Sequence, residues 1–461
     1  MPSESPVAEY PAAAREPLDE GLLSPVSVGH DGDVTDAAVL RALVSAEVAL
    51  ARAYARTGHA PRETVAQIDR ALDWRGTEEG CVGHGLDVAG IAGAAVAGGN
   101  PVIPLVGALK AAVPEGSRLW VHRGATSQDI LDTALMRVAA SASARVASAL
   151  RETERSLAGF AGAHRDTLAV ARTLTQHAVP TTVGLRAAGW LGGVRRARRR
   201  LDAARAALPA QLAGAGGTLA SFVEITGSPA AALELTAAFA AEAGLAVPDA
   251  PWHTHRWPVT ELGDALVQAV DAVGKIAADV ATLSRTEVGE LAEGAGGGSS
   301  AMPQKQNPAA SVLIRSAAIR APQLGATLHV ASALAVDERP DGAWHAEWPA
   351  LRELLRTARG ATAHAAALVA GLRVDDASVA RNLATTRGLV LAERLSLVLG
   401  PLIGEQRVAE IVSAVARGDD LGDRVRRLPE AAALDIDGLL DAAGYTGAAA
   451  SLTDHLLEEQ S

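Results

Sequence analysis

Apolar residues recur along most of the chain at intervals of three or four residues, which is the period of a helix. Two long runs, 131–168 and 262–291, keep their apolar side chains on one face over many turns. A third run, 308–336, contains Pro322, which we expect to kink or divide its helix. A fourth helix is predicted to begin after Pro349, a residue suited to a first turn. Helices of this length predict a bundle in which a partner covers the apolar stripes left over.

The composition also favours an all-α fold. Hydrophobic residues make up 49% of the chain but aromatic residues only 3%, and alanine, the best helix former, supplies much of the apolar content. At ~150 residues per domain, 461 residues correspond to about three domains. We predict a disordered lead-in (1–24), an N-terminal helical domain (25–116), a central bundle (117–368) and a small C-terminal domain of shorter helices (369–461).

Charge and cysteine content exclude several classes of protein. The single cysteine, Cys81, excludes an intramolecular disulfide and a metal site built on clustered cysteines. With 42 basic and 53 acidic side chains, the net charge of −11 argues against a nucleic-acid partner. No stretch reaches the ~18 consecutive apolar residues of a membrane span, and the acidic, proline-containing start does not resemble a secretion signal. We therefore expect a soluble cytoplasmic protein with no membrane partner.

The segment 296–308, GGGSSAMPQKQNP, has the most unusual composition of the predicted connections. Glycine-rich loops are mostly flexible linkers, but a linker needs neither Lys305 nor Asn307 between two prolines. The glycines let backbone N–H groups approach an anion closely, and the spacing is not that of a phosphate-binding loop. A serine here acts as a base only where such donors and a cation stabilise its alkoxide.

This loop resembles the GSSxMPxKxNP signature of the fumarase/aspartase superfamily of lyases. Two further segments resemble motifs of that superfamily, in the expected order: 122–135 (HRGATSQDILDTAL) and 172–184 (RTLTQHAVPTTVG). The resemblance spans the chain from about residue 30 to about residue 370. It implies an all-α, three-domain fold whose central bundle of long helices is completed by tetramerisation.

The resemblance also implies catalytic roles. Ser300, the second serine of the loop, would take a proton from carbon, and Lys305 and Asn307 would stabilise the resulting aci-carboxylate. His177 would lie near the departing or attacking group. Taken alone, a single histidine is more often structural, so the expectation for His177 depends on the resemblance.

A second group of residues is expected to bind the substrate. Thr126, Ser127 and Arg339 would hold carboxylates, and Gln128 and Arg123 would complete the binding site. Thr126 and Ser127 also suit the cap of a helix that begins near residue 130. Both interpretations can hold together, because a capped helix N-terminus already attracts anions.

Within the superfamily, Gln128 and the segments 251–258 (PWHTHRWP) and 337–356 resemble the 3-carboxy-cis,cis-muconate cycloisomerases and their relatives. The leading prediction is therefore a lyase or cycloisomerase that acts on a small polycarboxylate. An adenylosuccinate-type lyase is a weaker alternative, because such enzymes usually have a histidine at the position of Leu174.

The closest alternative releases fumarate from a substituted succinate, such as nitrosuccinate, which loses nitrite. Arg123 and Leu174 stand where many cycloisomerases have tryptophan, and this change suits a smaller, more anionic substrate. Gln304 and Gln306 also depart from the histidine and arginine that are frequent in the loop. A non-catalytic scaffold is a further class, disfavoured by the intact serine–lysine–asparagine loop.

The superfamily implies a homotetramer whose active sites are each shared by three subunits, without a cofactor. No metal is expected at His253 and His255, because further clustered ligands are missing. The arginine-rich run 195–200 is predicted to be a solvated or inter-subunit face, and Trp190 is predicted to lie in the core.

Overall fold

The structure, a computed structural model, describes residues 20–295, 297, 302 and 305–458. Within these ranges every helix is too short or too polar to cross a lipid bilayer. The helical segments are α1 (Asp36–Arg56), α2 (Arg62–Ala71), α3 (Val88–Gly98), α4 (Val102–Ala112), α5 (Ser127–Ala163), α6 (Val183–Ala206), α7 (Ala220–Thr226), α8 (Pro229–Ala243), α9 (Trp257–Leu283), α10 (Ala309–Ala333), α11 (Gly342–Ala370), α12 (Asp376–Ala384), α13 (Ala392–Ile403), α14 (Glu405–Ala416), α15 (Leu421–Arg426), α16 (Ile436–Leu440) and α17 (Ala449–Glu458).

The described strands form two small antiparallel sheets. β1 (Leu168–Thr173) pairs with β2 (Gln176–Thr182), and β3 (Leu291–Ala292) pairs with β4 (Arg373–Val374). The predicted all-α fold class is therefore confirmed, with two strand pairs that helical periodicity did not indicate.

Backbone contacts divide the described residues into two compact units. Unit 1 contains the residues up to Ser148 together with Arg198–Val270 and Ala317–Ala363. Unit 2 contains Ala149–Ala197, Asp271–Ser316 and the residues from His364 onward. The predicted lead-in lies outside the described residues up to residue 19, and the predicted three-domain division stays a prediction.

The core of unit 1 is built around α1, which is buried on nearly all sides between Leu43 and Tyr54. A helix that is apolar all round must be enclosed by its neighbours, and α1 packs against α8 and α2. Thr35 caps its N-terminus by accepting the N–H of Ala38. One charged side chain, Glu47, is buried within this stretch and therefore needs a partner.

In unit 2 the β1–β2 hairpin packs through two adjacent residues of β1. Ala169 contacts Val183 and Val379, and Val170 contacts Val390 and Leu391. Successive strand residues normally face opposite sides, so burial of both requires packing on each face of the hairpin. A register irregularity follows Val170 and re-aims the rest of the strand.

The two longest predicted runs end earlier than their apolar pattern suggested. α5 ends at Ala163 and α9 at Leu283, whereas Leu168 and Leu291 belong to strands. In each case a tight turn follows the helix, and the next apolar residue happens to continue the helical spacing. Apolar spacing alone does not distinguish a last helical turn from the first residue of a strand.

The expected start after Pro349 needs correction, and the expected division at Pro322 does too, whereas a kink at Pro322 stays a prediction. α10 continues through Pro322 without division, and α11 begins at Gly342, so that Pro349 lies inside it. Tertiary contacts explain the earlier start of α11, because Trp344 in its first turn donates to a buried carboxylate in unit 1. Such packing outweighs the hydrogen bond that an internal proline removes.

The arginine-rich run also differs in part from the prediction. Arg195 is buried and donates to the carbonyl of Leu456, so it is not part of a solvated face, whereas Arg199 and Arg200 are exposed. A guanidinium that reaches a backbone carbonyl can be buried without an acidic partner. Trp190 is buried as predicted, and its indole donates to Asp279 at 2.8 Å.

The turn of the β1–β2 hairpin gives a stability prediction. Leu174 and Thr175 have φ of +46° and +71°, which costs L-residues roughly 1–2 kcal/mol each. Replacing Leu174–Thr175 with Asn–Gly, the preferred pair for this turn, should stabilise the protein by about 1–2 kcal/mol. Calorimetry should show a higher melting temperature.

Leu174→Ala is the control for this prediction. The Leu174 side chain is 97% exposed, and alanine removes it without relieving the backbone strain. Equal stabilisation by Leu174→Ala and by Asn–Gly would contradict the strain explanation.

Candidate active site

The segment 122–127, which leads into α5, is held in unit 1 through its backbone. The hydroxyl of Tyr54 donates to the carbonyl of Arg123 at 3.0 Å. The hydroxyl of Ser221 donates to the carbonyl of Gly124 at 2.6 Å. Contacts to main-chain oxygens fix the path of the segment whatever its side chains do, and they leave those side chains available for a ligand.

His122 is attached to the buried acid of α1. Its Nδ1 lies 2.7 Å from Oε1 of Glu47, and its φ of +58° is unusual for a residue with a side chain. Burial by itself would lower the pKa of His122, but the hydrogen bond and charge of Glu47 raise it above the usual value. The pair therefore gives one oxygen of the buried carboxylate a partner and anchors the start of the segment.

Asp129, in the first turn of α5, links the segment 122–127 to the helix. Its carboxylate accepts the N–H of Thr126 at 3.0 Å, as in one half of a capping box. It also accepts the N–H groups of Ala213 and Gly214, at 2.9 and 3.0 Å. His253 Nε2, at 2.9 Å, completes the set around this fully buried side chain. His253 thus supports the turn.

Two of the predicted substrate-binding residues meet in unit 1. The guanidinium Nη2 of Arg339 donates to Oγ1 of Thr126, and Ser127 is the first residue of α5. Arg339 is exposed and precedes α11, so its charge lies at the surface beside the N-terminus of a 37-residue helix. A guanidinium, a hydroxyl and a helix N-terminus in one place form an anion-binding arrangement.

Arg123 lies next to this arrangement but turns toward the protein. Its guanidinium carbon is 4.4 Å from the centroid of the Trp120 ring, a cation–π contact. Its Nη1 is buried and has no hydrogen-bond partner within the described part of the chain. The turn therefore carries a cationic N–H group that is not satisfied by the protein.

Gln128, in the first turn of α5, lies on the buried side of the segment 122–127. It is fully buried, and its Nε2 donates to Asp132 at 3.2 Å and to the carbonyl of His253 at 2.9 Å. This position supports the segment 122–127 from inside, and a contact of Gln128 with substrate stays a prediction.

His177 lies in unit 2, on β2, where it pairs with Arg172 of β1. The histidine is half-buried, and partial burial together with the Arg172 charge lowers its pKa, against the opposing effect of Glu290. A histidine with a lowered pKa is neutral at pH 7 and can accept a proton.

A buried carboxylate, Glu290, anchors the hairpin near His177. Arg172 binds it through both terminal nitrogens, with Nη1 at 3.1 Å, and Asn382 donates at 2.9 Å. Burial would raise the pKa of Glu290, but the hydrogen bonds from Arg172 and Asn382 hold it below its usual value. Sequence reasoning missed this group because its members come from three separate segments, although Arg172 stands in a recognised motif.

The two ends of the segment 296–308, called here the serine loop, are joined by backbone hydrogen bonds in unit 2. Gly297 and Asn307 exchange two hydrogen bonds of 2.9 Å, and the N–H of Lys305 donates to the carbonyl of Met302. The Lys305 side chain is exposed. Ser300, the predicted base, lies outside the described residues.

The N-terminus of α10, directly after the loop, is already occupied. Glu293 accepts the N–H groups of Ala310 and Ser311 at 3.1 and 2.9 Å, and the Ser311 hydroxyl at 2.6 Å. This helix end is therefore capped by the protein's own carboxylate.

The structure brings Thr126 and Arg339 together in unit 1 and places His177, Lys305 and Asn307 in unit 2. Their assembly into one site, and the catalytic role of each, stay predictions.

Comparisons with known proteins show a consistent relationship. A family profile described as Lyase matches residues 32–322. The chain is 44% identical to nitrosuccinate lyase of Streptomyces davaonensis, over 95% of this chain and 94% of that protein. It is 39% identical to 3-carboxy-cis,cis-muconate cycloisomerase of Pseudomonas aeruginosa, over 92% and 93% of the two chains.

Solved structures show the same relationship. The 3-carboxy-cis,cis-muconate lactonizing enzyme from Pseudomonas putida superposes with a TM-score of 0.82 at 34% identity, covering 92% of this chain and 95% of that one. A fumarate lyase from Mesorhizobium also gives a TM-score of 0.82, at 30% identity, with 93% and 97% coverage.

The surroundings of His177 predict its titration. Its pKa should lie below 6.5, and Glu290→Gln should lower it further because the variant removes a negative charge that favours the protonated ring. NMR titration of the ring signals, assigned with a His177→Gln variant, measures both values. His122, whose pKa should lie above 6.5, is the internal control. A His177 pKa that rises in Glu290→Gln would contradict this electrostatic account.

Proposed function

The chain belongs to the fumarase/aspartase superfamily of lyases, and from this premise we propose that it eliminates nitrite from nitrosuccinate, or from a closely similar substituted succinate, to give fumarate. The sequence prediction placed the cycloisomerase first and this elimination second. Two observations reverse the order. The identity with nitrosuccinate lyase, 44%, exceeds the 39% identity with the Pseudomonas aeruginosa cycloisomerase. The second observation, which carries the proposal, is the unsatisfied cationic N–H of Arg123 beside the Thr126 turn.

Arg123 matters because it changes the kind of substrate that this part of the site favours. Tryptophan, frequent here in cycloisomerases, offers an apolar face, whereas a guanidinium offers charge and N–H donors. A buried N–H without a partner is costly, and an anionic ligand group that reaches it would be bound strongly. A dicarboxylate with an additional polar leaving group supplies such an anion.

In the proposed reaction, Thr126, Ser127 and Arg339 bind one carboxylate of the substrate. The base, Ser300, removes the proton from the carbon next to a carboxylate, and the C–H electron pair forms the aci-carboxylate. Lys305 and Asn307 stabilise that charge, a contribution of roughly 3–4 kcal/mol for each well-placed donor. The electron pair then forms the C=C bond as the C–N bond breaks, and nitrite leaves with the bonding electrons near His177. One proton, fumarate and nitrite account for every atom of the substrate.

A cycloisomerase remains the second candidate, because the lactonizing enzyme of known structure shares this fold with a TM-score of 0.82. In that reaction a carboxylate oxygen would add to a double bond through the same aci-carboxylate. The cytoplasmic location and the independence from metals, cofactors and nucleic acids stay predictions from the sequence.

We also propose that the chain forms a homotetramer in which three subunits contribute to each active site. Ile319 and Val330 of α10, and Leu334 directly after it, are 75%, 59% and 62% exposed, and the spacing of the three places them on one face. An exposed apolar stripe on a long helix favours coverage by another helix, and a second copy of α10 supplies a matching surface.

The reaction is tested by supplying nitrosuccinate and 3-carboxymuconate separately to the purified protein. We expect fumarate and nitrite in equal amounts from nitrosuccinate, and little lactone from carboxymuconate. Ser300→Ala should lower kcat by at least about 10²-fold, because it removes the base. Lactone formation without nitrite release would instead establish the cycloisomerase.

The assembly is tested by light scattering on Ile319→Glu. A charge at the centre of an apolar interface should dissociate the tetramer and abolish turnover, since the shared sites then lose residues. Glu353→Gln, a change at a partly exposed position on α11, is a control that should leave the mass unchanged. A wild-type protein with the mass of one chain would refute the proposal.

A further inference from the structure

We propose that Arg256, which precedes α9, is a positioning residue: it fixes the N-terminus of α5, with Thr126, relative to the start of α11, with Arg339. This inference rests on the proposed function, because it concerns how those two residues hold a substrate carboxylate. Arg256 stands in the segment 251–258, to which the sequence assigned no role.

The guanidinium of Arg256 lies between two carboxylates on two different helices. Its Nη1 and Nη2 donate to Asp132 of α5 at 2.7 and 3.0 Å. Its Nε and Nη2 donate to Glu347 of α11, with Nη2 at 2.7 Å. The remaining Nη1 hydrogen points to the carbonyl of Trp252, whose ring also lies 4.7 Å from the guanidinium carbon. All five N–H donors of the arginine are thus engaged.

Two more side chains complete this arrangement. The indole of Trp344, on α11, donates to Asp132 at 2.9 Å, so α5 and α11 are also joined directly. Gln128 donates to the other oxygen of Asp132 and lies within two residues of Thr126. The contacts therefore join Arg256 to α5, directly after Thr126, and to α11, which begins three residues after Arg339.

Stability alone does not explain this cluster. Arg256, Asp132 and Glu347 are at most 2% exposed, and removing three charged side chains from water is costly. Burial raises the pKa of Glu347, and the charge of Arg256 only partly offsets that effect. Packed apolar residues of similar volume would give comparable stability. The directed, bidentate contacts provide what apolar packing lacks, namely a defined distance and orientation between two helices.

Binding of a carboxylate by Thr126 and Arg339 requires a defined distance between these two residues. Thr126 and Arg339 come from segments more than two hundred residues apart, and both must contact the same carboxylate. A displacement of about 1 Å between binding groups can reduce turnover on the order of a hundredfold. A rigid buried joint below the two residues prevents this displacement.

Arg256→Lys tests the inference, because lysine keeps the charge but cannot contact both carboxylates in the same geometry. We expect the KM for nitrosuccinate, and the dissociation constant of succinate, to rise about ten- to a hundredfold. Glu347→Gln, which keeps the size of the side chain, should act in the same direction. It provides the test if Arg256→Lys does not fold.

Arg52→Lys is the matched control. Arg52 also bridges two carboxylates on different helices, with distances of 2.6 Å to Asp69 on α2 and 2.7 Å to Glu242 on α8. These helices carry neither Thr126 nor Arg339, so this variant should lower the melting temperature without changing KM.

A double-mutant cycle separates positioning from general destabilisation. In an Arg339→Ala background, Arg256→Lys should have little further effect on KM, because the group that it positions is gone. Fully additive effects, or equal effects of Arg256→Lys and Arg52→Lys on KM, would overturn the inference. A wild-type protein that neither binds succinate nor releases nitrite overturns the proposed function instead.

Discussion

The candidate binding turn depends on one buried carboxylate. Asp129 accepts backbone N–H groups from Thr126 and from the 213–214 segment, together with the ring of His253. Because the donors come from three different parts of unit 1, one side chain fixes the turn, the connection after α6 and the segment before α9. A carboxylate with four donors is well satisfied although it is fully buried.

Buried carboxylates thus hold in place the groups of the candidate binding surface. Glu47, Asp129 and Asp132 are all at most 2% exposed, and each is paired with N–H donors. Their negative charges orient the N–H groups that bind them. Arg339 and Thr126 lie on the outer side of these contacts. In unit 2, Glu290 likewise accepts hydrogen bonds from Arg172 and so orients the β1–β2 hairpin that carries His177. Preorganised donors of this kind avoid the cost of reorganising when a charged ligand binds.

The sequence predicted the elements with strong local signals and missed those that depend on distant partners. The apolar stripes indicated the long helices, and the motif around Thr126 indicated a helix start, which α5 confirms by beginning at Ser127. The hairpin tip at Leu174 gave no signal, since neither Leu nor Thr favours positive φ. Arg256 also gave none, because its role follows only from the meeting of Asp132 and Glu347 across 215 positions of sequence.

The capped start of α10 has a consequence for how ions compete with substrate. Glu293 neutralises the helix end nearest the serine loop, so phosphate, sulfate or a product anion gains nothing by docking there. In the proposed reaction, charge recognition in this part of unit 2 therefore falls to Lys305 and Asn307 rather than to the start of α10.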